Sequence, residues 1–128
     1  GHKSFWIHLA GIGAFPRIEY PNVIWAGVDK GSKECIALAK SIEESMGKLG
    51  FEKEKRTFSP HLTLGRVRTL NKKPQLISHI EKEKDFASQC KVTVNKIILF
   101  QSTLTPKGPI YAALKEFSLA RAAAGNAI

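Results

Sequence analysis

The hydrophobic period of this chain switches from two residues to between three and four and back, twice over, and that alternation limits what it can fold into. Phe5, Ile7 and Leu9 alternate with Ser4, Trp6 and His8, which is a strand pattern. Gly11, Gly13 and Phe15-Pro16 are expected to stop it. Residues 22–28, Asn-Val-Ile-Trp-Ala-Gly-Val, read as a second strand rich in β-branched and aromatic side chains. Asp29, Gly31 and Ser32 then make a turn with an N-cap for a helix. Over 33–49 the apolar residues Ile36, Leu38, Ala39, Ile42, Met46 and Leu49 recur at helical spacing, and Gly50 is a natural stop. A third strand is expected over 61–67. A second helix opens at Pro74 and runs to about Glu83, with Leu76, Ile77 and Ile80 inward. A long strand follows over 92–103, and its alternation shifts phase near Asn95-Lys96 as at a bulge. Thr105-Pro106-Lys107-Gly108-Pro109 is a turn, and 110–119 returns as a strand. The order β-β-α-β-α-β-β predicts an α+β domain with mostly antiparallel strands and helices on the outside.

Length and composition agree with that frame. At 128 residues the chain is one domain, or two small lobes, and it is long enough for a core without staples. Apolar residues are 43% and charged residues 24%, which excludes a disordered or low-complexity polymer. Apolar runs such as Ile97-Ile98-Leu99-Phe100 fall far short of the roughly 20 residues a membrane helix needs. No leader pattern begins at Gly1, so the expectation is a cytoplasmic protein. Cys35 and Cys90 form no metal or redox motif and read as two reduced, buried thiols. The net charge of +9 favours polyanions as partners. Residues 3–120 read as the domain and 121–128 as a tail, vector-like in composition.

The segment with chemistry is Phe58-Ser59-Pro60-His61-Leu62-Thr63-Leu64-Gly65-Arg66. Pro60 forces extended geometry on Ser59 and fits only at the start of a strand. Alternation from His61 then puts Leu62 and Leu64 on one face, toward the core, and His61 and Thr63 on the other. Two residues along a strand span about 6.6 Å, a gap that a phosphate group bridges. The imidazole exchanges a proton near neutral pH, and the hydroxyl donates to a phosphoryl oxygen. A lone H-x-T is a weak pattern, and one His does not complete acid–base chemistry on a phosphodiester.

Pro60-His61-Leu62-Thr63-Leu64-Gly65-Arg66 resembles the second H-x-T-x motif of the two-histidine (2H) phosphoesterases, in the branch of RNA 2′,3′-cyclic phosphodiesterases also called 2′-5′ RNA ligases. Gly11-Ile12-Gly13-Ala14-Phe15-Pro16, Val23-Ile24-Trp25-Ala26-Gly27-Val28, Leu49-Gly50-Phe51 and Ser102-Thr103-Leu104-Thr105-Pro106-Lys107-Gly108-Pro109-Ile110-Tyr111 resemble further segments of that branch. The resemblance covers about Phe5 to Leu119. It implies a bilobal fold of mostly antiparallel sheets and outer helices. It also implies a partner H-x-T-x motif upstream of Phe5, which this sequence lacks: His8-Leu9-Ala10 has no Thr, and His2 and His79 stand in no such motif. The fold is therefore expected to be incomplete at its N-terminus, with the missing motif lost from this chain or supplied by another. Self-association through the incomplete lobe is a further expectation.

For individual residues the resemblance implies a catalytic pair, His61 and Thr63. His61 matches the motif to which water activation is usually given, and Thr63 would hold a phosphoryl oxygen. The products would be 2′-phosphomonoesters, made from RNA ends or nucleotides carrying a 2′,3′-cyclic phosphate, with ligation in reverse. No metal and no cofactor is implied. Arg66, Ser102 and Tyr111 match substrate-binding positions. Strict alternation puts Arg66 opposite His61, although a bulge at Gly65 would re-aim it. Tyr111 either stacks on a base or packs its hairpin. Trp6 and Trp25 read as strand core. Lys53, Lys55, Arg56, Arg68, Lys72 and Lys73 either steer RNA or form a solvated face. Two other readings stand beside the enzyme: a basic RNA-end or nucleotide binder without turnover, and a purely structural fragment.

Overall fold

The computed structural model describes residues 1–69 and 71–122. The elements are β1 (Phe5–Arg17), β2 (Tyr20–Val28), α1 (Ser32–Lys48), β3 (His61–Arg66), α2 (Lys73–Glu83), β4 (Lys91–Val94), β5 (Lys96–Thr105) and β6 (Gly108–Ser118). The α+β class and the order of elements match the sequence expectation. The chain divides into two compact units, Ile7–Val92 and Gly1–Trp6 with the chain from Thr93 onward. Residues 123–128 of the expected tail lie outside the described residues. Among the described residues no helix is long and apolar enough to cross a membrane.

A four-stranded sheet has the order β3-β2-β1-β4. β1 and β2 pair antiparallel, as do β2 and β3. The expectation that Gly11, Gly13 and Phe15-Pro16 end the first strand is wrong, because β1 runs through all of them to Arg17. Gly11 adopts a φ of 74°, open to glycine at little cost, and the register with β2 shifts there between Ala10 and Ile12. A second shift falls between Phe15 and Pro16. The irregularities are thus absorbed inside the ladder as bulges rather than ending it.

α1 starts one residue earlier than expected. Its N-cap is Gly31, at a φ of 85°, and no side chain caps it. Leu49, Gly50 and Phe51 donate their amides back to Gly47 and Met46, and Gly50 takes a φ of 95° to leave the helix. Among the described residues Leu9, Ala14, Pro21, Ala26, Ile80 and Ala87 are buried, all within Ile7–Val92. Ile80 comes from the expected inward stripe of α2, while Leu76 and Ile77 are half-buried. No residue of α1 is fully buried. Its Ile36, Ala39 and Ile42 line a cavity of about 1290 Å³ instead of meeting a packed partner.

Three other expectations need correction. Leu62 and Leu64 are not in the core; they are 50% and 43% exposed. The reason is topological, because β3 is the edge of its sheet and pairs only with β2. Cys90 is exposed rather than buried, while Cys35 is half-buried and burial pushes its thiol pKa up. Trp6 and Trp25 are half-buried rather than core.

In the other unit β5 and β6 form an antiparallel hairpin closed by the predicted turn, with the Thr105 hydroxyl donating to the Gly108 carbonyl at 2.6 Å. The expected phase break falls at Asn95, between β4 and β5, and the Asn95 carbonyl accepts from the Leu119 amide at 2.8 Å. Every residue of β6 after Gly108 is exposed.

Candidate active site

The position of His61 follows from the strand start that Pro60 imposes. The imidazole Nδ1 lies 2.7 Å from the Ser59 carbonyl oxygen. A carbonyl only accepts, so Nδ1 carries the hydrogen, and in the neutral ring the lone pair falls on Nε2. That is the tautomer a general base needs, set by a local backbone contact around the proline.

The ladder places the rest of the site. Gly27 pairs with His61 and Trp25 with Thr63, so the imidazole and hydroxyl share a face with the Trp25 indole. The register then shifts: Ile24 pairs with Gly65 and Val23 with Arg66, and Leu64 is the extra residue. Val23 and Trp25 lie two apart on one face of β2. Arg66 opposite Val23 is therefore on the face of His61 and Thr63. The bulge that sequence reasoning held open is present, one residue earlier than Gly65.

Two aromatic rings crowd His61. Phe15 meets it edge-on, with centroids 5.1 Å apart and planes at 86°. Trp25 lies 6.4 Å away at 59°, and Phe15 and Trp25 are 5.2 Å apart. Aromatic pairs at such distances contribute about 0.5–1.5 kcal/mol each beyond burial. Sequence reasoning quoted both residues without giving them a role at the site. The signal was available in the shared parity of Phe15, Val23, Trp25 and His61 across antiparallel strands. Phe15, Val23, Phe58 and His61 line the 1290 Å³ cavity, with Lys53 and Arg56 also on its wall. The Glu43 carboxylate accepts from the Glu54 amide at 3.0 Å and ties the segment before β3 to α1.

His8 has a different role. Its Nδ1 lies 2.7 Å from the Asp29 carboxylate, and its Nε2 is hydrogen-bonded to the Ser88 carbonyl. Asp29 and then Ser88 hold its pKa above the ordinary 6.5. Both partners only accept, so the geometry suits a doubly protonated ring, and neither nitrogen is left for a substrate.

Ser102 and Tyr111 are cross-strand partners in the β5–β6 hairpin. Tyr111 is 64% exposed and meets Phe100 edge-on at 6.3 Å. The structure thus brings His61, Thr63 and Arg66 together on β3, and Ser102 and Tyr111 together on the hairpin. Of the flanking cations, Lys73 lies over the Tyr20 ring at 3.8 Å, and Arg17 stands 5.1 Å from the same ring.

An α+β sheet that carries H-x-T-x on its edge strand has the form of a two-histidine phosphoesterase. The model of the "LigT like Phosphoesterase" family matches residues 27–111, and the chain belongs to that family. It is 39% identical over 118 residues to a protein of Aeropyrum pernix named RNA 2′,3′-cyclic phosphodiesterase, covering 92% of this chain and 66% of that one. A protein of the same name from Methanocaldococcus jannaschii is 42% identical, over 87% of this chain and 62% of its own length. The chain thus spans just under two thirds of these relatives. The crystal structure of TT0787 of Thermus thermophilus shares the fold, with a TM-score of 0.71 over 94% of this chain and 63% of that one at 24% identity.

Proposed function

We propose that this chain provides the His61 side of a site that opens RNA 2′,3′-cyclic phosphates to 2′-phosphomonoesters. The observation that carries the reading is the His61 tautomer: Nδ1 is fixed on the Ser59 carbonyl, and Nε2 is left as the base. The names of the relatives support the substrate class. In the step proposed, Nε2 takes a proton from water as its oxygen attacks phosphorus. The bond from phosphorus to the 3′ oxygen breaks, and that oxygen leaves as a hydroxyl once protonated. Thr63 donates to a non-bridging oxygen and Arg66 meets the negative charge.

One imidazole serves one proton transfer at a time, and a positioned acid contributes about 10²–10⁴-fold to departure of the 3′ oxygen. His8 does not supply it, because both its nitrogens are engaged. The reading therefore includes a second H-x-T-x motif outside residues 3–120, upstream or from another chain. The test is titration of this chain with a 2′-nucleotide, alongside hydrolysis of a 2′,3′-cyclic nucleotide. Binding that depends on His61, with hydrolysis at least about 10²-fold slower than by the Aeropyrum pernix relative, is the expected result. Equal binding by His61→Ala would overturn the site.

A further inference from the structure

Gly13 is buried in the middle of β1. Its φ is not positive, so backbone freedom does not explain a glycine there. Space does. Gly13 is the cross-strand partner of Trp25, and a Cβ built on it would overlap Cζ2 and Cη2 of the indole and stand 2.8 Å from Cε2. The indole lies flat across β1 because that position carries no side chain. Its buried Nε1 meets no acceptor among the described residues, so no hydrogen bond of the N–H fixes the ring. Packing holds it, with the Gly13 backbone beneath and Phe15 alongside at 5.2 Å. Phe15 in turn meets the His61 ring edge-on.

We propose that Gly13 is a positioning residue for His61. By admitting the Trp25 indole onto β1, it sets Phe15, and Phe15 braces the imidazole edge-on. The relay deepens the functional reading above and rests on it for its consequence in catalysis. Its geometry stands independently. An exposed imidazole held only through Nδ1 pivots about that bond, and the aromatic wall removes the pivot. The direction of Nε2 then depends on a glycine on a strand that β2 separates from β3. Misplacing a catalytic group by about 1 Å costs about 10²-fold in rate, so a methyl group at residue 13 has leverage out of proportion to its size.

The experiment is proton NMR of the imidazole resonances in the 128-residue chain, comparing wild type with Gly13→Ala and Phe15→Leu. Ring currents from Phe15 and Trp25 mark His61. His8, on the same strand as Gly13 but held by Asp29 and Ser88, is the internal control for an intact sheet. The expected result is that His61 resonances move in both variants while those of His8 stay. Cyclic-nucleotide turnover should then lose about 10²-fold in kcat in Gly13→Ala with little change in KM. If Gly13→Ala does not fold, Phe15→Leu decides alone, read by the imidazole nitrogen shifts, which follow the tautomer that the Ser59 contact fixes and which loss of a ring current does not move. His61 resonances unchanged in the folded variants overturn the proposal, as do His61 and His8 moving together. Movement of His61 alone, in a chain whose wild type neither binds nor turns over nucleotides, supports the relay and sinks the functional reading instead.

Discussion

His8 and His61 sit in the same sheet, on β1 and β3, and their surroundings differ in how many ring nitrogens the fold engages. His8 has an acceptor on each nitrogen, Asp29 on one and Ser88 on the other. It ties β1 to the turn before α1 and to the segment after α2. His61 has a single acceptor among the described residues, Ser59, and aromatic walls. An imidazole with both nitrogens engaged is a clamp, while one held by Nδ1 alone keeps Nε2 open to exchange a proton, as the proposed function requires. Sequence shows a histidine in a strand in both cases. What separates them is how many acceptors the fold brings to the ring.

The strongest way to break this comparison is to exchange the effects of the two histidines. His61→Ala should lower the residual hydrolysis of a 2′,3′-cyclic nucleotide by about 10²–10⁴-fold. His8→Asn should leave that rate unchanged once the protein is folded. Steady-state assays of the two variants check this, and a larger loss in His8→Asn would reverse the assignment. Next in size is Thr63→Val, which removes a hydroxyl at nearly constant shape. A hydrogen bond to a charged group contributes about 1.5–3 kcal/mol, so 2′-nucleotide affinity by calorimetry should fall at least about tenfold. Arg66→Ala should cost less, a few-fold at low salt, and the difference from wild type should shrink as salt rises, because exposed charges are screened beyond about 10 Å at 0.1 M.

The smallest effect belongs to the clamp and is seen in stability. The His8 pKa is raised above 6.5, so its contribution is present below that pH and is lost as pH rises through the raised value. The Asp29 carboxyl is held below its ordinary 3.8, first by the Lys30 amide and then by His8. Its contribution is present above 3.8 and fades as pH falls through the lowered value. The clamp is therefore fully engaged between pH 3.8 and 6.5. Melting temperatures of wild type and the His8→Asn, Asp29→Asn double variant should differ most near about pH 5, and the gap should narrow toward about pH 9 to the part that Asp29 and the Lys30 amide keep. A gap that stays constant across this range would show that the pair does not titrate as the geometry requires.

Much of this was legible beforehand. Periodicity located β2, α1, β3 and α2 to within a few residues, and it found the break at Asn95. The His61–Thr63 face followed from parity. Three features resisted. β1 read as a short strand ending near Gly11 because Gly11, Gly13 and Phe15-Pro16 look like stops. Only the partner strand shows that the ladder accommodates them with shifted register. Leu62 and Leu64 read as core because alternation assigns a face but says nothing of what lies over it. Phe15 and Trp25 escaped as neighbours of His61 because they come from strands far apart in sequence, brought together by register. Arg66 lay between these cases: its face depended on a bulge that Gly65 suggested and the β2–β3 register carries.

The edge position of β3 has a dynamic signature. A strand paired on one side alternates amides that donate to its neighbour with amides that face away. Deuterium labelling of the chain should therefore show a sawtooth along His61–Arg66, slow and fast amides in turn, unlike the uniformly slow exchange of β2 between two neighbours. At Leu64 the extra residue breaks the beat, and two neighbouring amides should exchange fast together. The labelling pattern would thus reveal, without any substrate, the same irregularity that brings Arg66 around to the face of His61.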